Sequence, residues 1–408
     1  MPSNASIVLI HYFDYSKLNQ APTHIFSVRF LIGRNTVVSN TLQIIHSCSK
    51  MKLELVQVLF RHGARTPIKE ELKIFSYIDE SSYEPLGLGT LTNTGKKQMY
   101  ELGKFLRERY SEFLGANYKS DHVYAYSSDT DRTKMSLQLV LAGLYPPIDQ
   151  EVWNPHLMWS PVPYVYTPRQ FDVLLRSYDN KKFRNFIRNS YLSKDTKKRI
   201  TKNSDFLSEK TGINFSNNFY NIAFVYGVLI ANECMNLPLP DWYTADVKET
   251  FIESMAQVYD GYVSTLEMRK IGVGPLIKMF IQNMNLDRTV FNPRKIYLYS
   301  GHDGNLAMFT RVHGIKEFRY PEFGSALIFE KLRDSEDNVH VKILSWTGNG
   351  KLMSLPLGDH SEFCPIDNYL RMVESIIPTD KEIEKMINDS KCKIFRQLFF
   401  SDNAVKKL

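Results

Sequence analysis

The sequence predicts an α/β protein in which strands alternate with helices to build a sheet covered on both faces. Three observations carry this reading. A strand, a loop and a core-facing helix follow one another three times, each of those strands ends in a cluster of ionisable residues, and a strand pair comes after the third unit. At 408 residues, with 43% hydrophobic and 13% aromatic side chains, the chain has the apolar surface for a large core.

Residues 1–50 show little periodicity. Their short apolar runs, "ASIVLIHYF" and "IFSVRFLIG", lack the ordered basic start, long apolar stretch and small-residue cleavage site of a signal peptide. Met51, abutting the first strand, offers an alternative start. That strand is "LELVQVLF", Leu53 to Phe60, as dense in apolar residues as central parallel strands are. Beyond Pro67 and the Gly-rich "PLGLGTLTNTG", Met99, Leu102, Phe105, Leu106, Tyr110 and Phe113 recur at three and four and mark a core-facing helix.

The second unit is "HVYAYSS", His122 to Ser128, followed by "DTDRTKMSLQLVLAGL", which supplies an Asp or Thr cap, an acidic first turn containing Arg132 and an end near Gly143. From Tyr145 to Pro168 the chain is rich in Pro, Trp and Tyr without a period, which suits a connection into an inserted helical unit at about 168–225. In "KIYLYSGHDGNLAMFTRVHGI" a strand spans Ile296 to Ser300, a turn Gly301 to Gly304, and a helix starts at Asn305 and stops at Gly314. "FGSALIFEKL" and "HVKILSW" read as the strand pair. The expected organisation is an extension at 1–50, an α/β domain at 51–167 and 226–375, the insertion at 168–225 and a tail at 376–408.

Charge argues against a nucleic-acid partner. The net +7 comes from 51 basic and 44 acidic residues that are mostly interleaved, whereas a dedicated binder clusters its cations. One stretch differs: Lys181 to Lys202 holds nine basic residues and one acidic, Asp195. It reads as a solvated helix face or as a surface that steers anions. Four cysteines, Cys48, Cys234, Cys364 and Cys392, are too few for a disulfide scaffold and lack zinc-site spacing. Sequons at Asn4, Asn214 and Asn388 are compatible with a secreted glycoprotein. No apolar run reaches the roughly 18 residues of a membrane span.

Open α/β sheets bind ligands outside the carboxyl ends of their strands, and all three polar clusters fall there. Arg61-His62-Gly63-Ala64-Arg65 follows the first strand, Asp129 to Arg132 the second, and His302-Asp303 the third. A core position would explain one histidine; it does not explain three such clusters. Arg61, Arg65 and Arg132 present forked donors that match phosphate oxygens. Their field disfavours an imidazolium at His62, which leaves that ring a neutral nucleophile in mildly acidic medium. His62, His302 and Asp303 could imitate a metal set, but Arg61 and Arg65 would repel a divalent cation. With phosphate gripped by arginines, His62 would accept the phosphoryl group, Asp303 would protonate the leaving oxygen, and His302 could donate to a phosphate oxygen. This scheme uses no metal and no cofactor.

"RHGARTP", "SSDTDRTKMSLQLVLAGLYPP" and "SGHD" resemble the histidine acid phosphatase family, the acid phosphatase and phytase branch of the histidine phosphatase superfamily. The likeness runs from about Leu53 to about Leu370, takes in "LTNTGKKQMYELGKFLRERY", "LPLPDWY" and "GVGPLI", and favours secreted animal enzymes, insect venom forms included. It implies an α/β fold with a mixed, largely parallel sheet flanked by helices and an inserted, mostly helical cap. It implies His62 as the phosphorylated nucleophile, Arg61, Arg65, Arg132 and His302 as phosphate ligands, and Asp303 as proton donor. A secreted or lysosomal setting follows from it, and a homodimer stays open.

Three positions depart from the family pattern. Gly304 stands where Thr is common, Tyr126 where a basic residue often precedes the Ser-Thr-Asp counterpart, and His360 where many members place a cysteine that pairs with the one matching Cys364. The expected activity is hydrolysis of phosphate monoesters at acidic pH. Its rivals are a phosphotransferase, a mutase, an inositol-polyphosphate or lysophosphatidate phosphatase on the same fold, and a non-catalytic, allergen-like secreted relative.

Overall fold

A computed structural model describes residues 51–75, 78–185, 194–215, 220–285, 293–316, 318–360 and 362–388, together with two short strands, Phe30–Leu31 and Val37–Val38. The chain divides into two units, Met1–Met51 and Lys52–Leu408. In the first, the two short strands pair antiparallel, with Phe30 opposite Val38. Asn4, Cys48, Cys392 and residues 186–193 of the basic stretch lie outside the described residues, as do the side chains of 194–201.

The second unit is organised by an eight-stranded sheet. Strand β1 (Lys52–Arg61) is buried on both faces because its side chains alternate between two apolar clusters. Leu55 and Leu59 enter one, while Val56, Val58 and Phe60 enter the other. Parallel neighbours β4 (Ile296–Gly301), β2 (Val123–Ser128) and β3 (Val165–Thr167) continue the sheet on one side. On the other side lie the antiparallel strands β5 (Ala326–Arg333), β6 (Val339–Trp346), β7 (Leu352–Leu355) and β8 (Cys364–Pro365), of which β7 and β8 both pair with β6. The sheet is therefore mixed, and the strand pair expected from "FGSALIFEKL" and "HVKILSW" is the β5–β6 hairpin.

Helices cover both faces. Helix α1 (Asn93–Arg109) is capped by the Thr92 side chain, which accepts from Gly95 N–H; with α2 (Asp131–Leu144) it packs on the Val58 side through Met99, Leu102, Leu106, Leu137, Val140 and Leu141. Between β3 and β4 come α3 (Lys194–Thr211), α4 (Tyr220–Met235), α5 (Ala245–Gly261), α6 (Leu266–Gly272) and α7 (Gly274–Asn285). The helical stretch thus continues through Asn285, well past residue 225. Part of it builds a third cluster over the "RHGAR" loop, in which Val225, Tyr226, Phe251 and Tyr259 pack with Ala64, Leu72 and Phe323.

Helix α8 (Asp303–Val312) follows β4, α9 (Ile366–Val373) follows β8, and α10 (Asp380–Asn388) ends the described chain. Residues 376–388 are no loose tail: Ile376, Ile383, Met386 and Ile387 join the cluster on the Leu59 side. Cys234 and Cys364 are free thiols, and His360 Nε2 lies 2.9 Å from the Asn368 amide nitrogen. Among the described residues, no helix is long and apolar enough to cross a membrane.

Candidate active site

Strand register assembles the site. In the parallel β1–β4 pair Arg61 stands beside Gly301, and in the β2–β4 pair Ser127 stands beside Ser300, so three strand exits meet at one edge. The His62 N–H donates to the Gly301 carbonyl at 3.1 Å, which brings His62 alongside the residue after Gly301, His302; their ring centroids lie 5.5 Å apart. The glycine of the "RHG" triplet is required by close approach. A Cβ on Gly63 would overlap the Gly95 carbonyl, and one on Gly95 would overlap the Ala64 backbone. Helix α1 therefore seats its first turn directly against the loop.

The third exit differs from the sequence reading in one detail. The side chain of Asn305 accepts from His302 N–H at 2.9 Å, so α8 begins two residues before Asn305, with His302 at its N-cap and Asp303 as its first residue. All six sequence candidates, His62, Asp303, Arg61, Arg65, Arg132 and His302, converge at this edge.

Each charge has a definable environment. Arg61 is almost wholly buried under the Phe323 ring, 4.0 Å from its centroid, donates to Pro321 O at 2.6 Å, and pairs with Asp303 at 3.1 Å. Arg65 makes a two-pronged contact with buried Glu71, at 2.8 and 2.7 Å. Arg132 has no hydrogen-bond or ion-pair partner among the described residues, so it is the uncompensated cation of the group. Burial, then Arg65 and Arg176, pull its pKa down to about 10, with Tyr178 opposing. The Nε–H groups of Arg61, Arg65 and Arg132 are all buried without a partner. Buried donors left this way are costly unless an acceptor enters.

Both histidines are held neutral. Burial, followed by Arg132, Arg61 and Arg65, lowers the His62 pKa well below the usual imidazole value. Its Nδ1 lies 2.9 Å from the Gly63 carbonyl, which can only accept, so Nδ1 carries the proton and Nε2 is bare. Burial and then Arg176 depress His302 likewise. Its Nε2 lies 3.3 Å from Arg176 Nη1, which can only donate, and this leaves the His302 proton on Nδ1. Ser128 Oγ, at the β2 exit, lies 2.9 Å from the same Nε2. Asp303 is one-third exposed, and the Gly304 N–H donates to its Oδ1 at 2.7 Å.

Sequence reasoning missed the groups that orient these residues. Arg176 touches His302, binds Asp179 through Nη2 at 2.7 Å, and donates to Tyr178 OH at 2.7 Å. Asp172 holds the turn that presents Arg176. Its Oδ1 accepts from Leu174 N–H, Leu175 N–H and Tyr126 OH at 3.1, 2.9 and 3.1 Å, its Oδ2 is buried without a partner, and burial raises its pKa to about 7. Tyr126 is thus a buried donor to this turn. A signal for Arg176 was present in "RSYD", where an arginine and an aspartate three apart can pair, as they do.

A family model described as histidine phosphatase superfamily (branch 2) matches residues 52–345. This chain belongs to that superfamily. Among curated relatives of this histidine phosphatase, the venom acid phosphatase Acph-1 of Apis mellifera is 34% identical over 344 residues, covering 81% of this chain and 87% of its own. The prostatic acid phosphatase of Rattus norvegicus is 32% identical over 346 residues, with 82% and 89% covered. Among solved structures, the apo form of Hafnia alvei phytase superposes with a TM-score of 0.61 at 17% identity, covering 80% of this histidine phosphatase and 97% of that chain. At that identity the phytase likeness establishes the shared fold. Among the described residues, no group of three or more His, Cys, Asp or Glu side chains is disposed to hold a metal ion.

Proposed function

We propose that this chain is an acid phosphatase that hydrolyses phosphate monoesters through a phosphohistidine on His62, without a metal. The reaction class, phosphoric monoester hydrolysis, rests on the family and on its acid phosphatase relatives. The assignment of roles rests on one observation above all: the bare Nε2 of a neutral His62 sits among three arginines whose Nε–H groups lack acceptors.

A phosphate monoester enters with its non-bridging oxygens on Arg61, Arg65, Arg132 and His302 Nδ1–H. His62 Nε2 attacks phosphorus as the bond to the ester oxygen breaks, and Asp303 gives that oxygen its proton. Water then attacks the phosphohistidine; Asp303, now a base, takes the water proton, and His62 Nε2 leaves as a neutral ring while inorganic phosphate departs. Neutral histidines suit acidic medium, because His62 stays nucleophilic at a pH where an ordinary imidazole is protonated. A secreted or lysosomal location belongs to the same proposal, supported by the venom relative.

The test compares leaving groups. Proton donation matters most for a poor leaving group, so Asp303→Asn should slow phosphorylation by about 10²–10⁴-fold for an alkyl phosphate and far less for p-nitrophenyl phosphate. Equal slowing of both esters would remove Asp303 from the role of acid.

A further inference from the structure

The guanidinium of Arg65 is already held at one end. Its Nη1 donates to Thr66 O at 3.0 Å and to Glu71 Oε2 at 2.8 Å, and its Nη2 donates to Glu71 Oε1 at 2.7 Å. Those bonds take up the Nη1/Nη2 end of the fork, so the donors left over are the Nε–H and the outer Nη2–H, which lie together along the side edge of the group. The Nε–H is buried and meets no acceptor among the described residues. The charge of Arg65 is felt at His62.

Glu71 is itself fixed by more than Arg65. It lies in the short helical turn Lys69–Leu72, its side chain is buried, and its Oε2 also accepts from Ile68 N–H at 2.9 Å. The carboxylate occupies space that Gly227 leaves open on α4. A Cβ at that position would stand 2.4 Å from Glu71 Oε1 and 2.8 Å from its Cδ. The φ of Gly227 lies outside the left-handed region, so the helix backbone makes no demand for glycine, a poor helix former. What the glycine provides is room for the carboxylate.

We infer that Glu71 is a positioning residue for phosphate: seated against Gly227, it grips the end of Arg65 so that the Nε–H and Nη2–H pair is the fork that takes the phosphate oxygens. The inference rests on the phosphatase reading above. An unheld arginine can turn either its end or its side edge to an anion, and ordering it on binding costs affinity. Here the choice is made before the substrate arrives.

The experiment measures binding of inorganic phosphate by calorimetry, which needs no turnover, to wild type, Glu71→Gln, Gly227→Ala, the Glu71→Gln/Gly227→Ala double variant, and Arg65→Ala with and without Glu71→Gln. Glutamine keeps the volume of Glu71, yet in either orientation its NH2 faces a donor, Arg65 Nη2 on one side or Nη1 and Ile68 N–H on the other. Gly227→Ala displaces the carboxylate and leaves every charge in place. Each single change at 71 or 227 should weaken phosphate about tenfold. The double variant should lose no more than either alone, because both act on one contact. In the Arg65→Ala background Glu71→Gln should cause no further loss, since the fork it positioned is gone; a role in stability alone would weaken binding in both backgrounds. If Arg65→Ala does not fold, the 71/227 pair decides the question by itself. Wild-type affinity in Glu71→Gln or Gly227→Ala, additive losses in their combination, or a further loss in Arg65→Ala overturns the inference and leaves the phosphatase reading intact. A wild-type protein that binds no phosphate overturns that reading, and the inference with it.

Discussion

Asp172→Asn separates two opposing contributions to acid stability. The folded pKa of Asp172 is raised from 3.8 to about 7 by burial, so the folded protein binds its proton more tightly than the unfolded chain. This contribution is complete below about pH 4 and is lost as pH rises through 7. His62 and His302 are depressed well below 6.5, and His313 to about 4, so their contribution is present above about 6.5 and is lost as pH falls. Asp172 thus offsets the histidines where an acid phosphatase works. At about 1.4 kcal/mol per pKa unit, its contribution grows by about 2–3 kcal/mol between pH 7.5 and pH 5.

Asparagine keeps the Oδ1 acceptor for Leu174, Leu175 and Tyr126 and puts a donor where Oδ2 has no partner. That change carries a cost of about 1–3 kcal/mol that does not depend on pH. Chemical denaturation of both proteins at pH 7.5 and 5 isolates the titrating part. The Asn variant should lose about 2–3 kcal/mol more, relative to wild type, at pH 5 than at pH 7.5. The same loss at both pH values would refute a buried, proton-binding Asp172.

Arg132→Ala should weaken inhibition by inorganic phosphate about 10- to 100-fold, since charge-assisted hydrogen bonds are lost, while the melting temperature holds because Arg132 has no protein partner among the described residues. An unchanged inhibition constant would take Arg132 out of the phosphate cradle. Dialysis against EDTA should leave turnover intact; loss of activity restored by zinc or magnesium would contradict the metal-free scheme.

The convergence of His62, the three arginines and the His302–Asp303 pair was legible because each sits within a few residues of a strand exit, where chain direction alone carries polar groups to the sheet edge. Arg176 and Asp172 were not, because their roles exist only once the chain from 168 onward folds back over that edge. Glu71 was missed for a different reason: its carboxylate reaches Arg65 only because the chain turns back on itself after Pro67. The three-residue edge strand β3 leaves Val165 and Tyr166 exposed, so it shows no apolar pattern. Helix α4 buries Ile222, Val225, Tyr226, Val228, Leu229, Ile230 and Ala231, which lie around most of its circumference, and so lacks the one-sided stripe that would have shown that it continues past residue 225. In α10 the stripe Ile383, Met386 and Ile387 is short, and its core role depends on docking against distant elements, as in the Lys270–Glu382 pair at 3.1 Å.

The central claim is a covalent phosphate on His62. Rapid mixing with a radiolabelled phosphate monoester at acidic pH, an alkaline quench to preserve phosphohistidine, and peptide mapping test it directly. The account predicts label on the peptide carrying His62 within the first turnover, and neither label nor turnover in His62→Ala. Label on another residue, or turnover that survives in His62→Ala, would contradict it.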